Sequence, residues 1–460
     1  MHEQMVALAR RGRMKSAGVK HLAALVGVVC LAHAHCTSAV GFALEQQSAS
    51  NAGYAFAGAA SVEDASVMFW NPAALSHIQG TQAIVGVHAI YGHASFTDQG
   101  SLSPAGPTFP LTGGTGGNPS GLNWLPNAYL STHIRPNLSA GLGITSPFGL
   151  KTDYPPDWIG RYQAVSSVLK TININPTLAW KVTPTLSIGA GVSFQYFDAR
   201  ISNAIDFGAA CFGSPFGPAA CAAAGVVPQS KDGLVEIKGD SWGVGWNAGA
   251  VFDMNPRLRA GIAYRSAIKH EIQGNATFSN PSLPAPFSLL TAGATNTGAQ
   301  TTITTPDSVS LNTALAFNEN LTAVSDITWT GWSKFRELRV RFDSGSPDAV
   351  LPANWRNTFR FGMGLGYSMN DRLKLRTGVA YEQSAIPDAF RTARIPDNDH
   401  TLVALGLNYK TSRTGSVDVA YHHGFVRHAS VNTTVAGGGT LLGNYKVSAD
   451  VLSIQYNHGF

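Results

Sequence analysis

Apolar and polar residues alternate with a period of two over much of the chain. In the last segment Leu452, Ile454, Tyr456, His458 and Phe460 interleave with Val451, Ser453, Gln455, Asn457 and Gly459. Leu373, Leu375, Thr377, Val379 and Tyr381 alternate with Lys374, Arg376, Gly378, Ala380 and Glu382, and Val417, Val419, Tyr421, His423 and Phe425 repeat the pattern. This spacing puts neighbouring side chains on opposite faces of an extended strand. A soluble β-sandwich alternates as well, so the pattern predicts strands before it says where they reside.

Short and long connections take turns along the chain. Tight reversals are predicted at Arg135-Pro136-Asn137, Thr183-Pro184-Thr185, Met254-Asn255-Pro256, Asn318-Glu319-Asn320, Asn370-Asp371-Arg372 and near Thr411-Ser412-Arg413, where Pro, Asn or Asp supplies the turn chemistry. Long Gly-, Pro- and Ser-rich stretches fall between them at 98–121, 148–165, 205–233, 278–300, 344–353, 384–398 and 429–441. These connections join fourteen predicted strands and leave both barrel ends on one side. An even strand number, short turns on one side and long loops on the other are the pattern of a bacterial outer-membrane barrel. The charged face of residues 373–382 has no place in lipid and must line a lumen. The terminal aromatic Phe460 resembles the assembly signal of such barrels.

The first residues read as an export signal. Arg10, Arg11, Arg13, Lys15 and Lys20 form a basic region, an apolar run extends from Leu22 to Ala34, and Thr37-Ser38-Ala39 offers small residues for cleavage near Ala39 or Val40. Met14-Lys15 alone would also open such a signal. The run has ~13 residues against the ~20 that a spanning helix needs. Later apolar runs are broken by Gly, Asn, Arg or Thr, which excludes a helical membrane protein. Removing the signal takes away five Lys/Arg and one Glu, so the formal charge falls from +5 to +1. No clustered basic surface for nucleic acid survives that subtraction. Charged residues make up 13% of the chain, roughly half of the usual ~25%. Low charge with abundant Gly and aromatics suits strands between lipid and a polar lumen.

Cys30 and Cys36 leave with the signal, while Cys211 and Cys221 remain close together. An oxidising compartment favours a disulfide across so short a loop, with two unpaired thiols as the alternative. Of the scattered histidines only His422 and His423 are adjacent, and neighbours on a strand face opposite sides, so no joint metal site is expected. No nucleotide-binding or nucleophile motif is visible. The expectation is a non-enzyme without cofactor or metal.

Residues 40–80 do not read as a strand. Gln46-Gln47-Ser48-Ala49-Ser50-Asn51-Ala52-Gly53 is small and polar, and Asn71-Pro72-Ala73 marks a turn or helix start. A fourteen-stranded cylinder encloses more volume than inward side chains fill. The expected organisation is therefore a signal at 1–39, a hatch at 40–80 inside the lumen, and an all-β transmembrane barrel at 81–460.

Gly41-Phe42-Ala43-Leu44-Glu45-Gln46-Gln47-Ser48, with Ala57-Gly58, Asp64-Ala65-Ser66 and Asn71-Pro72-Ala73, resembles the N-terminal hatch of the FadL/TodX family of outer-membrane fatty acid and hydrocarbon transporters. The resemblance continues at Asn123-Trp124-Leu125-Pro126-Asn127, at Ser146-Pro147-Phe148-Gly149-Leu150, and from Gly239-Asp240-Ser241-Trp242-Gly243 through Val244-Gly245-Trp246-Asn247-Ala248-Gly249. It appears again at Tyr264-Arg265-Ser266, Trp329-Thr330-Gly331-Trp332-Ser333, Arg376-Thr377-Gly378 and Ile395-Pro396-Asp397.

This resemblance implies a fourteen-stranded antiparallel barrel sealed by a hatch, passive transport, and lateral exit of cargo through an inward kink of the third strand. Pro147, Phe148 and Gly149 match the kink; Pro lacks a ladder donor and Gly tolerates unusual backbone, which suits broken pairing. Phe42 matches the hatch end that contacts ligand, and Asn71, Pro72 and Ala73 are the expected hinge region. A ligand carboxylate needs a cation, for which Arg200, Lys269 (beside His270), Arg391 and Arg394 are the candidates. Asn203 stands where a cation is expected, and His400 replaces the family's basic residue after Ile-Pro-Asp. These departures leave room for uncharged hydrocarbons. The expected setting is the Gram-negative outer membrane, with a hydrophobic ligand and membrane lipid as partners and a single chain as the unit. A general porin and a structural or adhesin barrel are the alternatives.

Overall fold

The computed structural model describes residues 41–460. The expected signal, its cleavage site, Cys30 and Cys36 lie outside the described residues. From Gln82 onward the chain is a closed antiparallel barrel of fourteen strands. They are β1 Gln82–Asp98, β2 Gly121–Arg135, β3 Leu138–Thr145 continuing as Gly149–Asp153, β4 Ser166–Lys181, β5 Leu186–Asp206, β6 Asp232–Asn255, and β7 Leu258–Arg265 continuing as Ile268–Ser279. Then come β8 Thr297–Thr305 with Ser308–Ala316, β9 Leu321–Thr330 with Glu337–Phe342, and β10 Ala349–Pro352 with Thr358–Ser368. The last are β11 Leu373–Glu382, β12 His400–Lys410, β13 Gly415–Val426 with Ala429–Val435, and β14 Gly439–Gly459. Closure is by β1 on β14, from Gln82↔Gly459 to Asp98↔Gly443.

Exposure decides between barrel and sandwich. On β14 the exposed residues are Leu452, Ile454 and Tyr456, at 45–46%, whereas Val451, Ser453 and Gln455 are fully buried. On β11 Leu375 is exposed and Arg376 buried. An apolar outer face over a polar interior inverts a soluble protein and matches a wall bathed in lipid. The predicted loops at 148–165, 344–353 and 429–441 are partly strand, the first through Gly149–Asp153 of β3. Ala349–Pro352 pairs with the outer end of β9. Ala429–Val435 pairs with β14 around a turn in which Gly437 and Gly439 have positive φ. Ala429 and Val431 are buried between exposed neighbours, an alternation that the surrounding Gly and Thr obscured.

Residues 41–80 fold inside the cylinder. A short helix α1, Ala49–Ala52, is capped by Ser48, and the 3-10 turns Ala65–Phe69 and Pro72–His77 are capped by the side chains of Asp64 and Asn71. Close seating needs bare backbone: a Cβ on Gly378 would lie 2.2 Å from the Tyr54 carbonyl carbon. Wall arginines hold the hatch. Arg259, Arg265 and Arg360 donate to the carbonyls of Ala60, Phe69 and Ala55. Glu63 pairs with Lys374 at 2.6 Å and Arg376 at 3.1 Å, and Arg376 also reaches Asp418 at 2.6 Å.

Burial alone would raise the Glu63 pKa, but Arg376 and Lys374 outweigh it and hold the carboxyl well below the usual range. Its pairing therefore stabilises the docked hatch above the unfolded carboxylate pKa of about 4.3 and is lost as pH falls through the lower, folded value. Removing one partner of such a buried cluster costs roughly 3 kcal/mol. Glu63→Gln is expected to speed hydrogen exchange of the hatch amides at neutral pH on the order of a hundredfold. The unaltered chain should show the same loosening only at pH below ~4.

Candidate functional site

The wall is incomplete where β3 breaks. Its inner segment pairs with β2 up to Ala128↔Ile144. Its outer segment pairs only with β4, from Gly149↔Lys170 to Asp153↔Ser166. Leu122 to Asn127 of β2 remain bonded to β1 on one edge and have no β3 partner on the other. A single bond from Asp153 N to Pro119 O, 2.9 Å, closes the gap above.

The break turns the β3 backbone toward the hatch. Leu44 N donates to Pro147 O at 2.8 Å, and Gly149 N donates to Phe42 O at 2.8 Å. The Gln47 side chain bonds both polar groups of the Ser146 backbone, at 2.8 and 3.2 Å. Phe148 N and O both bond the Thr171 hydroxyl. Pro147 has no N–H to leave unsatisfied. The buried backbone of the kink is thus satisfied without β2.

Phe42 reaches from this junction into an aromatic cluster, with ring centroids 4.8 Å from Trp332, 5.6 Å from Trp355 and 5.9 Å from Phe148 and Phe335. It borders a cavity of about 120 Å³ whose other walls include Leu150, Leu169, Ile272, Ile303 and Leu338. One guanidinium faces this apolar space. Arg394 donates to Ser167 Oγ at 3.0 Å, Ser166 O at 3.2 Å, Asn203 Oδ1 at 3.2 Å and Ser202 O at 3.3 Å. All four partners are neutral, and no described carboxylate forms an ion pair with it. Burial pushes its pKa down to about 10, which leaves it cationic at neutral pH.

A smaller chamber of about 60 Å³ borders the wall gap at Ser120 and Gly149 and is lined by Glu45, Lys151, Asp397 and His400. Burial pushes the Glu45 carboxyl up to about 7. Below the hatch a polar vestibule of about 850 Å³, lined by Glu63, Arg372, Lys374 and Asp418 among others, opens at the periplasmic end. The hatch separates the apolar spaces from this wet one.

Phe42, Pro147, Phe148 and Gly149 therefore meet in one place, and Arg394 joins the cavity beside them. The other candidates do not. Ala199 and Ile201 line the cavity, so the two-residue period turns Arg200 outward, 3.8 Å from Glu236. Lys269 is likewise exposed and pairs with Glu271. Arg391 is buried but committed to Asp388 and to the carbonyls of Asp397 and Ser430, where it holds an outer loop. Asn71 bonds Ala250 O and Ile262 O and caps Ala73, which makes this segment an anchor on β6 and β7 with no bond to the kink. Cys211 and Cys221 are joined between two outer-loop helices, α2 Phe207–Phe212 and α3 Gly217–Ala223. Sequence reasoning gave no role to Trp332, Phe335, Trp355 or Leu150; Trp332 lay inside a family block whose purpose only the packing shows. Asn203, read as a missing cation, supports one as a neutral acceptor for Arg394.

A closed barrel with an apolar outer face, an internal hatch and an apolar cavity defines an outer-membrane transport protein. Residues 30–460 match the family described as Outer membrane protein transport protein (OMPP1/FadL/TodX), and the chain belongs to it. It is 28% identical to the long-chain fatty acid transport protein of Escherichia coli K12, covering 87% of this chain and 91% of that one. It is also 28% identical to a putative outer membrane protein of Neisseria meningitidis serogroup B, covering 92% and 95%. The crystal structure of a Pseudomonas aeruginosa FadL homologue superposes with a TM-score of 0.82 at 27% identity, covering 91% of this chain and 99% of that one. The P. putida toluene transporter TodX shares the fold, with a TM-score of 0.63 at 20% identity over 86% and 94%.

Proposed function

We propose that this chain carries long-chain fatty acids or hydrocarbons passively across the outer membrane, and that cargo leaves sideways through the gap beside the β3 kink. The unpaired edge of β2, Leu122 to Asn127, next to a hatch end that inserts Phe42 into an apolar cavity, carries this reading. An apolar ligand gains roughly 25 cal/mol per Å² on leaving water. A path from the cavity past Phe42 and Leu150 to a side gap keeps that gain, whereas the polar vestibule under the hatch would forfeit it. Arg394 is the head-group contact of this reading, because a cation with only neutral partners suits a carboxylate. Glu45, between cavity and gap, favours cargo that travels as the neutral acid. The hatch across the lumen argues against a general porin, and the apolar cavity against a purely structural barrel. One chain closes its own barrel, which supports a monomer as the working unit.

The reading is tested by uptake of labelled oleate and toluene in cells lacking and regaining the gene. Restored uptake of one or both is expected; equal uptake in the two strains would remove the transporter reading for these cargoes.

A further inference from the structure

The wall has a second seam, between β6 and β7. Their upper register runs from Leu234↔Ser279 to Asp240↔Gln273 and stops. It resumes at Asn247↔Arg265. In between, Ser241 to Trp246 stay paired with β5, and Ile268 to Ile272 stay paired with β8. Each strand is thus held on its far edge while the facing edges share no ladder. What crosses the seam is sparse: a reciprocal contact of Trp246 with Ser266, and a 3.1 Å bond between the Ser241 hydroxyl and His270.

The seam is shut by side chains. The outer part of β7 steps inward, and Ile268 and His270 lie over the bare backbone of β6. A Cβ on Gly243 would sit 2.5 Å from Ile268 Cγ2 and 2.8 Å from the His270 ring, and one on Gly245 would sit 2.6 Å from Ile268 Cγ1. On the outer surface Trp242, Val244 and Trp246 are exposed. On the inner side the next residues up, Ile237, Gly239, Ile272 and Gly274, form part of the Phe42 cavity. Asn127 and Trp246 lie at similar distances from the periplasmic ends of their strands, Arg135 and Asn255, so the seam and the β2–β3 gap stand at similar heights in the wall. Unpaired strand edges are avoided inside a bilayer unless they serve a cavity, and the β6 side of this seam, Ser241 to Trp246, falls in the Gly239–Gly249 block.

We propose that the β6–β7 seam is a second side port, through which uncharged apolar molecules pass between the Phe42 cavity and the surrounding bilayer. Trp242, Val244 and Trp246 form its outer mouth, and Ile268 and His270 swing aside as the stopper. Arg394 is held by Ser166, Ser167, Ser202 and Asn203 on β4 and β5, away from the seam, so carboxylates are left to reach it from the outer loops. The inference rests on the side-exit reading.

The test locks the seam in whole cells. Gly243→Cys with Ile268→Cys, in a Cys211→Ser, Cys221→Ser background, places two thiols where a glycine face and a packed side chain now touch. Each single cysteine variant is the control, and heat-modifiable gel migration verifies folding. Oxidation is expected to roughly halve the initial rate of toluene uptake and leave oleate uptake intact, with recovery on reduction. As a second measurement, Ile268→Ala with His270→Ala should raise toluene uptake. Equal toluene uptake by locked and single-cysteine forms would overturn the port. If a variant shortened at the β3 kink still fails to transport, the side exit survives that result; if the shortened variant also transports normally, both ideas fall together.

Discussion

Deleting Phe148 is expected to reduce uptake of both oleate and toluene to the level of cells without the protein. The partners of β3 on β4 slip by one residue across the break, from Thr145↔Asn173 to Gly149↔Lys170, so removing one residue restores a continuous alternation of faces. The outer part of β3 then continues the register that now ends at Ala128↔Ile144, and Leu122 to Asn127 gain the partners they lack. A complete ladder leaves no side path, since parting it exposes backbone polar groups to lipid at several kcal/mol each. The barrel itself has every reason to fold, because most of its wall is untouched. Wild-type uptake by a correctly folded deletion variant would place the exit elsewhere.

Arg394→Leu separates the two classes of cargo. Hydrogen bonds to a charged group contribute about 1.5–3 kcal/mol, and each ~1.4 kcal/mol is tenfold in affinity. Oleate binding to the purified barrel in lipid nanodiscs is therefore expected to weaken on the order of ten- to a hundredfold. Toluene, which has nothing to pair with the guanidinium, should bind as before. Because Arg394 stays protonated with a pKa of about 10, the wild-type preference for the anion should persist through neutral pH and fade only as the guanidinium titrates. Arg394→Lys keeps the charge but not the forked geometry and should fall between the two. Equal oleate affinity in the leucine variant would remove Arg394 as the head-group contact.

Much of the fold was legible because β-structure in a membrane wall is periodic and punctuated. Two-residue alternation marked the strands, and Pro, Asn and Asp marked the inner turns. The segments missed as strand, 149–153, 349–352 and 429–435, were short and set in stretches rich in Gly, Pro, Ser or Thr, where alternation is hard to tell from loop composition. The kink was legible through the family resemblance, with which the local chemistry of a Pro-Phe-Gly run agrees. The head group was not. Four cations stood at comparable positions along the chain, and nothing local distinguished Arg394, with its neutral partners, from Arg391, which is committed to Asp388.

By itself, then, the order of residues determined a closed, lipid-facing β-wall with an N-terminal segment destined for its interior, since both follow from spacing and composition within short windows. Only the tertiary structure decided which arginine meets the cavity, which aromatic rings surround Phe42, and where β6 and β7 part. Those depend on how strands distant in sequence are staggered against one another. Stagger is set by closure of the whole barrel around its hatch, a condition that no short window contains.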